Sequence, residues 1–207
     1  MDELTRAVVQ LEENQVIEIV RRELKKGTPV EDIVERCRQG MEAVGEKFSQ
    51  GEYYLPDLIM AGEIFNSILE VLRPIMAEAK TRKLGKIVLA TVKNDIHDIG
   101  KNVFKGFAEA NGFVVHDLGV DVDPELIVST IKEEKPEIVG LSCLLTSAFD
   151  SIKDTIERIK QAGVRNQVKI IIGGAPVSEE LKNWSGADAF TRSAAEGVKI
   201  CKELLES

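Results

Sequence analysis

The chain has 207 residues, 43% of them apolar, and a formal net charge of −8. That length suits one large domain or two small ones, with enough apolar material for a packed core. The acidic balance argues against a nucleic-acid-binding surface, and the lack of any apolar run approaching ~20 residues argues against a transmembrane helix.

Residues 1 to about 80 read as helix. Val16, Ile19, Val20 and Leu24 recur at helical spacing, and Gly27 ends that stretch. TPVEDIVERC predicts the next helix, with Thr28 as N-cap, Pro29 at the first helical position and Glu31 closing a capping box. Met41, Val44 and Phe48 lie on a helical stretch that Gly51 ends, and Pro56 opens a long helix that Pro74 kinks or nearly ends. The pattern predicts a helical domain over 1–82, a bundle of about four helices. AEAKTRKLGK, residues 77–86, is polar and loses its period toward the end, as a connection between domains would.

From residue 83 to 207 the pattern changes to short β-branched runs alternating with amphipathic helices. KIVLATV, GFVVHDLG, EIVGLSCLL, VKIIIGG and ADAF predict strands one to five. Such alternation implies an α/β domain, a parallel sheet covered on both faces. Five strands fit a flavodoxin- or Rossmann-like sheet of order 2-1-3-4-5.

In such a sheet ligands lie beyond the carboxyl ends of the strands, where the strand order reverses. The unusual residues gather there. Strand one runs into NDIHDIG with Asp95, His97, Asp98, Ile99 and Gly100; strand three ends in SCLLTS with Ser142, Leu144 and Thr146; strand four ends in Gly173 and Gly174. Each loop has a plain structural reading. The glycines could make a turn, Ser142 could satisfy the backbone and Thr146 could cap the next helix. On adjacent strand ends they point jointly to a binding site. The glycine pair permits close approach of a ligand, but there is no GxGxxG and no Walker phosphate loop.

Asp95 can accept a hydrogen bond from one ring nitrogen of His97 and leave the other free. That arrangement serves either a metal-bound imidazole or a general base. No nucleophile is evident beside it. The only histidines are His97 and His116, and Cys37, Cys143 and Cys201 lie far apart with no CxxC pair. The cysteines fit free thiols in a reducing cytoplasm. A bare metal would lack protein ligands, whereas a metal bringing its own ring needs one axial ligand. Spacing alone does not identify such a group.

Asp95-x-His97-x-x-Gly100, then Ser142-x-Leu144, then Gly173-Gly174, with 41 and 28 intervening residues, resembles the cobalamin-binding signature DxHxxG…SxL…GG. VKNDIHDIGKN is similar to the segment in cobalamin-dependent methionine synthase and in corrinoid proteins of methyltransferase systems, and the resemblance covers nearly the whole chain. It implies cobalamin or a related corrinoid, with His97 replacing the benzimidazole as lower cobalt ligand and Asp95 tuning it. It implies a nucleotide tail beside Gly100, Ser142, Leu144, Thr146 and the glycine turn. EKFSQGEYYLPDL resembles the family's cap segment, which implies Phe48, Leu55 and Leu58 over the methyl-bearing face. In methionine synthase a serine extends the His–Asp relay; the sequence departs there, with Ala148 at that position.

The resemblance implies a cytoplasmic methyl carrier that is not catalytic by itself. Its partners would be a donor-specific methyltransferase, an acceptor methyltransferase using tetrahydrofolate or a thiol, and a reductive activation protein. The alternative is a cobalamin-dependent sensor or regulatory module. A mutase small subunit leaves the helical half unexplained, and a phosphoacceptor receiver would need an aspartate where strand three ends in SCLLTS.

Overall fold

A computed structural model describes residues 1–77 and 84–206, apart from the side chains at 49, 55, 76, 77 and 110. The chain divides into two compact units, Met1–Met76 and Ala77–Ser207. Most of the connection expected at 77–86 falls outside the described residues.

The first unit holds α1 (Glu3–Val9), α2 (Glu13–Lys25), α3 (Val30–Ser49) and α4 (Leu55–Ala77). Asp2 caps α1 by accepting from the N–H groups of Leu4 and Thr5. Arg36 of α3 then bridges Asp2 and Glu23 of α2, which ties three helices together through one guanidinium. Gly40 lets α1 cross α3 closely, because a Cβ there would lie 2.7 Å from the Val8 side chain. Gly27 and Gly51 adopt φ of +80° and +76° just past the ends of α2 and α3, the left-handed stops their positions predict.

The predicted capping box is not formed. Pro29 occupies the N-cap position with no side-chain cap, and Thr28 Oγ1 instead donates to the Glu23 carboxylate at 3.3 Å. The nearby carboxylate of the preceding helix captures the hydroxyl that local spacing assigns to a cap. Pro74 lies inside α4, close to its end, as expected.

The second unit is a five-stranded parallel sheet of order β2-β1-β3-β4-β5. Its strands are β1 (Lys86–Thr91), β2 (Val114–Asp117), β3 (Ile138–Ser142), β4 (Lys169–Gly173) and β5 (Ala189–Thr191). Between and after them run α5 (Ile99–Ala110), α6 (Pro124–Glu134), α7 (Phe149–Gln161), α8 (Glu179–Ser185) and α9 (Ala194–Glu206). Alternate residues of the central strands feed opposite faces. Val139, Leu141 and Ile170 pack with Ile127, Ile131, Ile152 and Ile156 of α6 and α7. On the other face Gly140 leaves space for Leu89 and for Phe104 of α5, since a Cβ would meet Leu89 at 2.8 Å. Each fully buried aliphatic side chain of this sandwich contributes roughly 1.5–3 kcal/mol. Among the described residues, no helix is long and apolar enough to cross a membrane.

Candidate functional site

Parallel register places Thr91, Ser142, Gly173 and Thr191 in one row across β1, β3, β4 and β5. Three loops that are distant in sequence therefore leave the same edge of the sheet.

The loops after β1 and β2 each turn at one left-handed residue, Asn94 (φ 67°) and Asp121 (φ 52°), both residue types that tolerate that conformation. Asp121 Oδ1 accepts from Asn94 N at 2.9 Å, and Asp121 N donates to the Asp95 carbonyl at 2.9 Å. The loop after β2 thus holds the loop after β1.

Asp95 is the centre of the site, with its side chain 0% exposed. Its Oδ1 accepts from His97 N at 3.0 Å and faces His97 Nδ1 at 2.7 Å. Its Oδ2 accepts from Leu144 N at 2.6 Å and Leu145 N at 3.0 Å. Burial pushes the carboxyl up, but the backbone bonds from Leu145, His97 and Leu144 and the bond from the His97 ring outweigh it and hold Asp95 below the usual carboxylate value. An ionised Asp95 can only accept, so Nδ1 is the donor of this pair and Nε2 is the ring nitrogen left facing away from Asp95. The imidazole is 46% exposed and so accessible to a ligand.

Cys143, buried beneath the turn, donates to the Leu145 carbonyl at 3.2 Å. Burial, reinforced by the Asp95 charge, pushes its thiol up to about 12, so it stays protonated. No serine occupies the place of the expected relay: Ala148 is fully buried and Ser147 is exposed. Asp95 is instead satisfied by amides.

Asp98 precedes α5 without capping it, since its carboxylate accepts from Asn102 Nδ2 at 3.0 Å. Ile99 and Gly100 open that helix, half-buried and exposed respectively. Ser142 Oγ makes no hydrogen bond to the described residues, and Thr146 caps neither the short 3-10 turn it begins nor α7. Neither hydroxyl takes the plain structural role open to it.

The glycines divide sharply. A Cβ on Gly174 (φ +144°) would lie 1.9 Å from the Cys143 carbonyl oxygen, so the fold itself demands glycine there. A Cβ on Gly173 would meet nothing nearer than 3.9 Å, and one on Gly100 nothing within 4 Å. Packing within the unit does not require those two glycines, and the space beside them is open.

Sequence reasoning missed Thr91, Leu145, Asp121 and Lys101. Lys101 is 3% exposed, with Nζ 2.7 and 2.8 Å from the two oxygens of Asp117 at the end of β2. Its signal was available: Lys101 precedes Phe104 by three and Ala108 by seven, on the buried face of α5. The amide contacts of Leu145 left no such signal.

In the first unit Phe48 is 42% exposed at the end of α3, Leu58 is half-buried on α4, and Tyr54, Ile59 and Met60 are also exposed. These are large apolar side chains left open to solvent in this unit. The Leu55 side chain lies outside the described residues.

The residues therefore fit a ring-borne metal on three grounds: an imidazole with one nitrogen free, two glycines with open space, and a serine hydroxyl with no partner among the described residues. Among those residues no three His, Cys, Asp or Glu side chains converge to hold an ion unaided.

Comparison with known proteins agrees. Two B12 binding domain models match, one over residues 85–201 and the other over residues 1–73. The chain is 39% identical to the trimethylamine corrinoid protein of Methanosarcina barkeri over 202 residues, 96% of this chain and 93% of the relative. It is 36% identical to dimethylamine corrinoid protein 2 of Methanosarcina acetivorans over 206 residues, 99% of this chain and 95% of the relative. The solved structure of the M. barkeri monomethylamine corrinoid protein superposes with a TM-score of 0.90 at 34% identity, covering 98% of this chain and 97% of that one. With a B12 binding domain over each unit and such likeness along its length, the chain belongs to the B12-binding corrinoid protein family.

Proposed function

We propose that this protein is a corrinoid methyl carrier that holds cobalamin with its benzimidazole displaced and His97 as the lower cobalt ligand. The observation that carries the reading is the Asp95–His97 pair. A buried carboxylate fixes Nδ1 as the donor at 2.7 Å and leaves Nε2 as a base of raised electron density.

His97 Nε2 would hold the metal. Asp98, Ile99 and Gly100 would border the ligand on the α5 side, and Ser142, Leu144, Thr146, Gly173 and Gly174 would line the nucleotide tail. The open space at Gly100 and Gly173 and the unengaged Ser142 hydroxyl support that assignment. Phe48, Leu55 and Leu58 would exclude water from the opposite face; the 42% exposure of Phe48 supports this for that residue. A corrin-bound cobalt supplies an acceptor for a methyl group and then a leaving group for its transfer.

In this reading substrate chemistry would belong to partners. These are a donor-specific methyltransferase, an acceptor methyltransferase using tetrahydrofolate or a thiol, and a reductive activation protein, all in the cytoplasm. The methylamine relatives favour a methylamine as donor.

The test is partner-dependent labelling. Reduced, cobalamin-loaded protein is incubated with isotopically labelled mono-, di- or trimethylamine, with and without the matching methyltransferase. Label should reach the protein's corrinoid only when a partner is present. Labelling without a partner, or none with any of the three, would contradict the reading.

A further inference from the structure

Thr91 ends β1 with no exposed surface. Its backbone is fully engaged: Thr91 N donates to the Gly119 carbonyl at 3.0 Å, and its own carbonyl accepts from Val122 N at 3.1 Å. A β-branched side chain on such a backbone has little rotamer freedom. Its Oγ1 donates to the His97 carbonyl at 2.9 Å, the one hydrogen bond to that oxygen from a described residue.

His97 is therefore pinned on both sides. Asp95 holds its N–H at 3.0 Å, and Thr91 holds its carbonyl. Valine has the same shape and would fill a buried strand end without placing a hydroxyl there. A buried hydroxyl is costly unless its bond is made.

We infer that Thr91 is a positioning residue for His97: its hydroxyl fixes the His97 peptide so that Nδ1 of the ring stays on Asp95 and Nε2 stays turned away from it. The link to the corrinoid rests on the reading of His97 as lower ligand, but the position of the ring can be tested without it.

The experiment compares Thr91→Val, Thr91→Ser and Thr191→Val in a His116→Gln background, with 15N-labelled histidine. Thr191 is the fitting control, because it too ends a strand almost fully buried and donates locally, to the Ser193 carbonyl at 2.8 Å. In the metal-free protein, nitrogen NMR of the single remaining ring should show one tautomer, Nδ1-protonated, for Thr91→Ser and Thr191→Val. Thr91→Val should show loss of that signal to a mixture of tautomers. After loading with cobalamin and reduction to cobalt(II), Thr91→Val should show a smaller histidine-coordinated fraction by electron paramagnetic resonance, restored in Thr91→Ser. A Thr91→Val ring identical to the parent's, or one perturbed equally by Thr191→Val, would overturn the inference. A loaded parent that keeps its benzimidazole nitrogen would overturn the lower-ligand reading instead, while the metal-free spectra still decide the role of Thr91.

Discussion

Asp95 accepts four N–H groups with two oxygens, one oxygen facing His97 and the other the amides of Leu144 and Leu145. One carboxylate thus assembles the His97 loop and the β3 loop together. An asparagine has one oxygen, and its amide would confront donors on the other side. Asp95→Asn is expected to lose roughly 1.5–3 kcal/mol of stability, one charge-assisted hydrogen bond or more, in urea unfolding of the metal-free protein. It should also weaken corrinoid binding more than a loss of the His97 contact alone. The His97 half of this was legible in the sequence, because Asp95 and His97 are two residues apart. The amide half was not: the partners are 49 and 50 residues away and act through the main chain, which carries no side-chain signature.

Strand ends and helix starts decide what each glycine does. Gly174→Ala should fold poorly, losing roughly 3 kcal/mol or more, because a Cβ at φ +144° would lie 1.9 Å from the Cys143 carbonyl oxygen. Gly173→Ala and Gly100→Ala should fold normally. Gly100→Ala can even gain up to about 1 kcal/mol of helix propensity in α5. Both should nevertheless bind hydroxocobalamin less tightly, a contrast that paired thermal melts and cofactor titrations read directly. Strand order, strand identity and the glycine turn were legible from alternation and punctuation. The capping box at Thr28 was misread because a local motif was available to a carboxylate on another helix. The clamp between α5 and β2 can be checked by pH. Burial raises the Asp117 carboxyl, but Lys101, the Gly119 amide and Lys105 hold it below its ordinary 3.8. The stabilisation this lowering gives is fully present above 3.8 and is lost as pH falls from there through the lower folded value. Lys101→Met should lower stability at neutral pH and flatten this acid-side dependence, measured by unfolding across the range.

At the scale of the molecule, two units each match their own B12 binding domain model. Phe48→Ala should change metal-free stability by no more than ~0.5 kcal/mol, as for an exposed side chain. It should speed photolysis and oxidation of the methylated cofactor; unchanged rates would remove Phe48 from the cap. Identities of 34%, 36% and 39% to mono-, di- and trimethylamine corrinoid proteins are too close to single out one donor. This agrees with a carrier that leaves donor recognition to its partner. The most direct test of the whole account is electron paramagnetic resonance of the cobalt(II) protein made with natural or 15N-labelled histidine. Histidine coordination predicts a nitrogen triplet that becomes a doublet on labelling and disappears from the His97→Ala protein. A triplet unchanged by labelling would mean that the cofactor's own benzimidazole remains the lower ligand, and would contradict it.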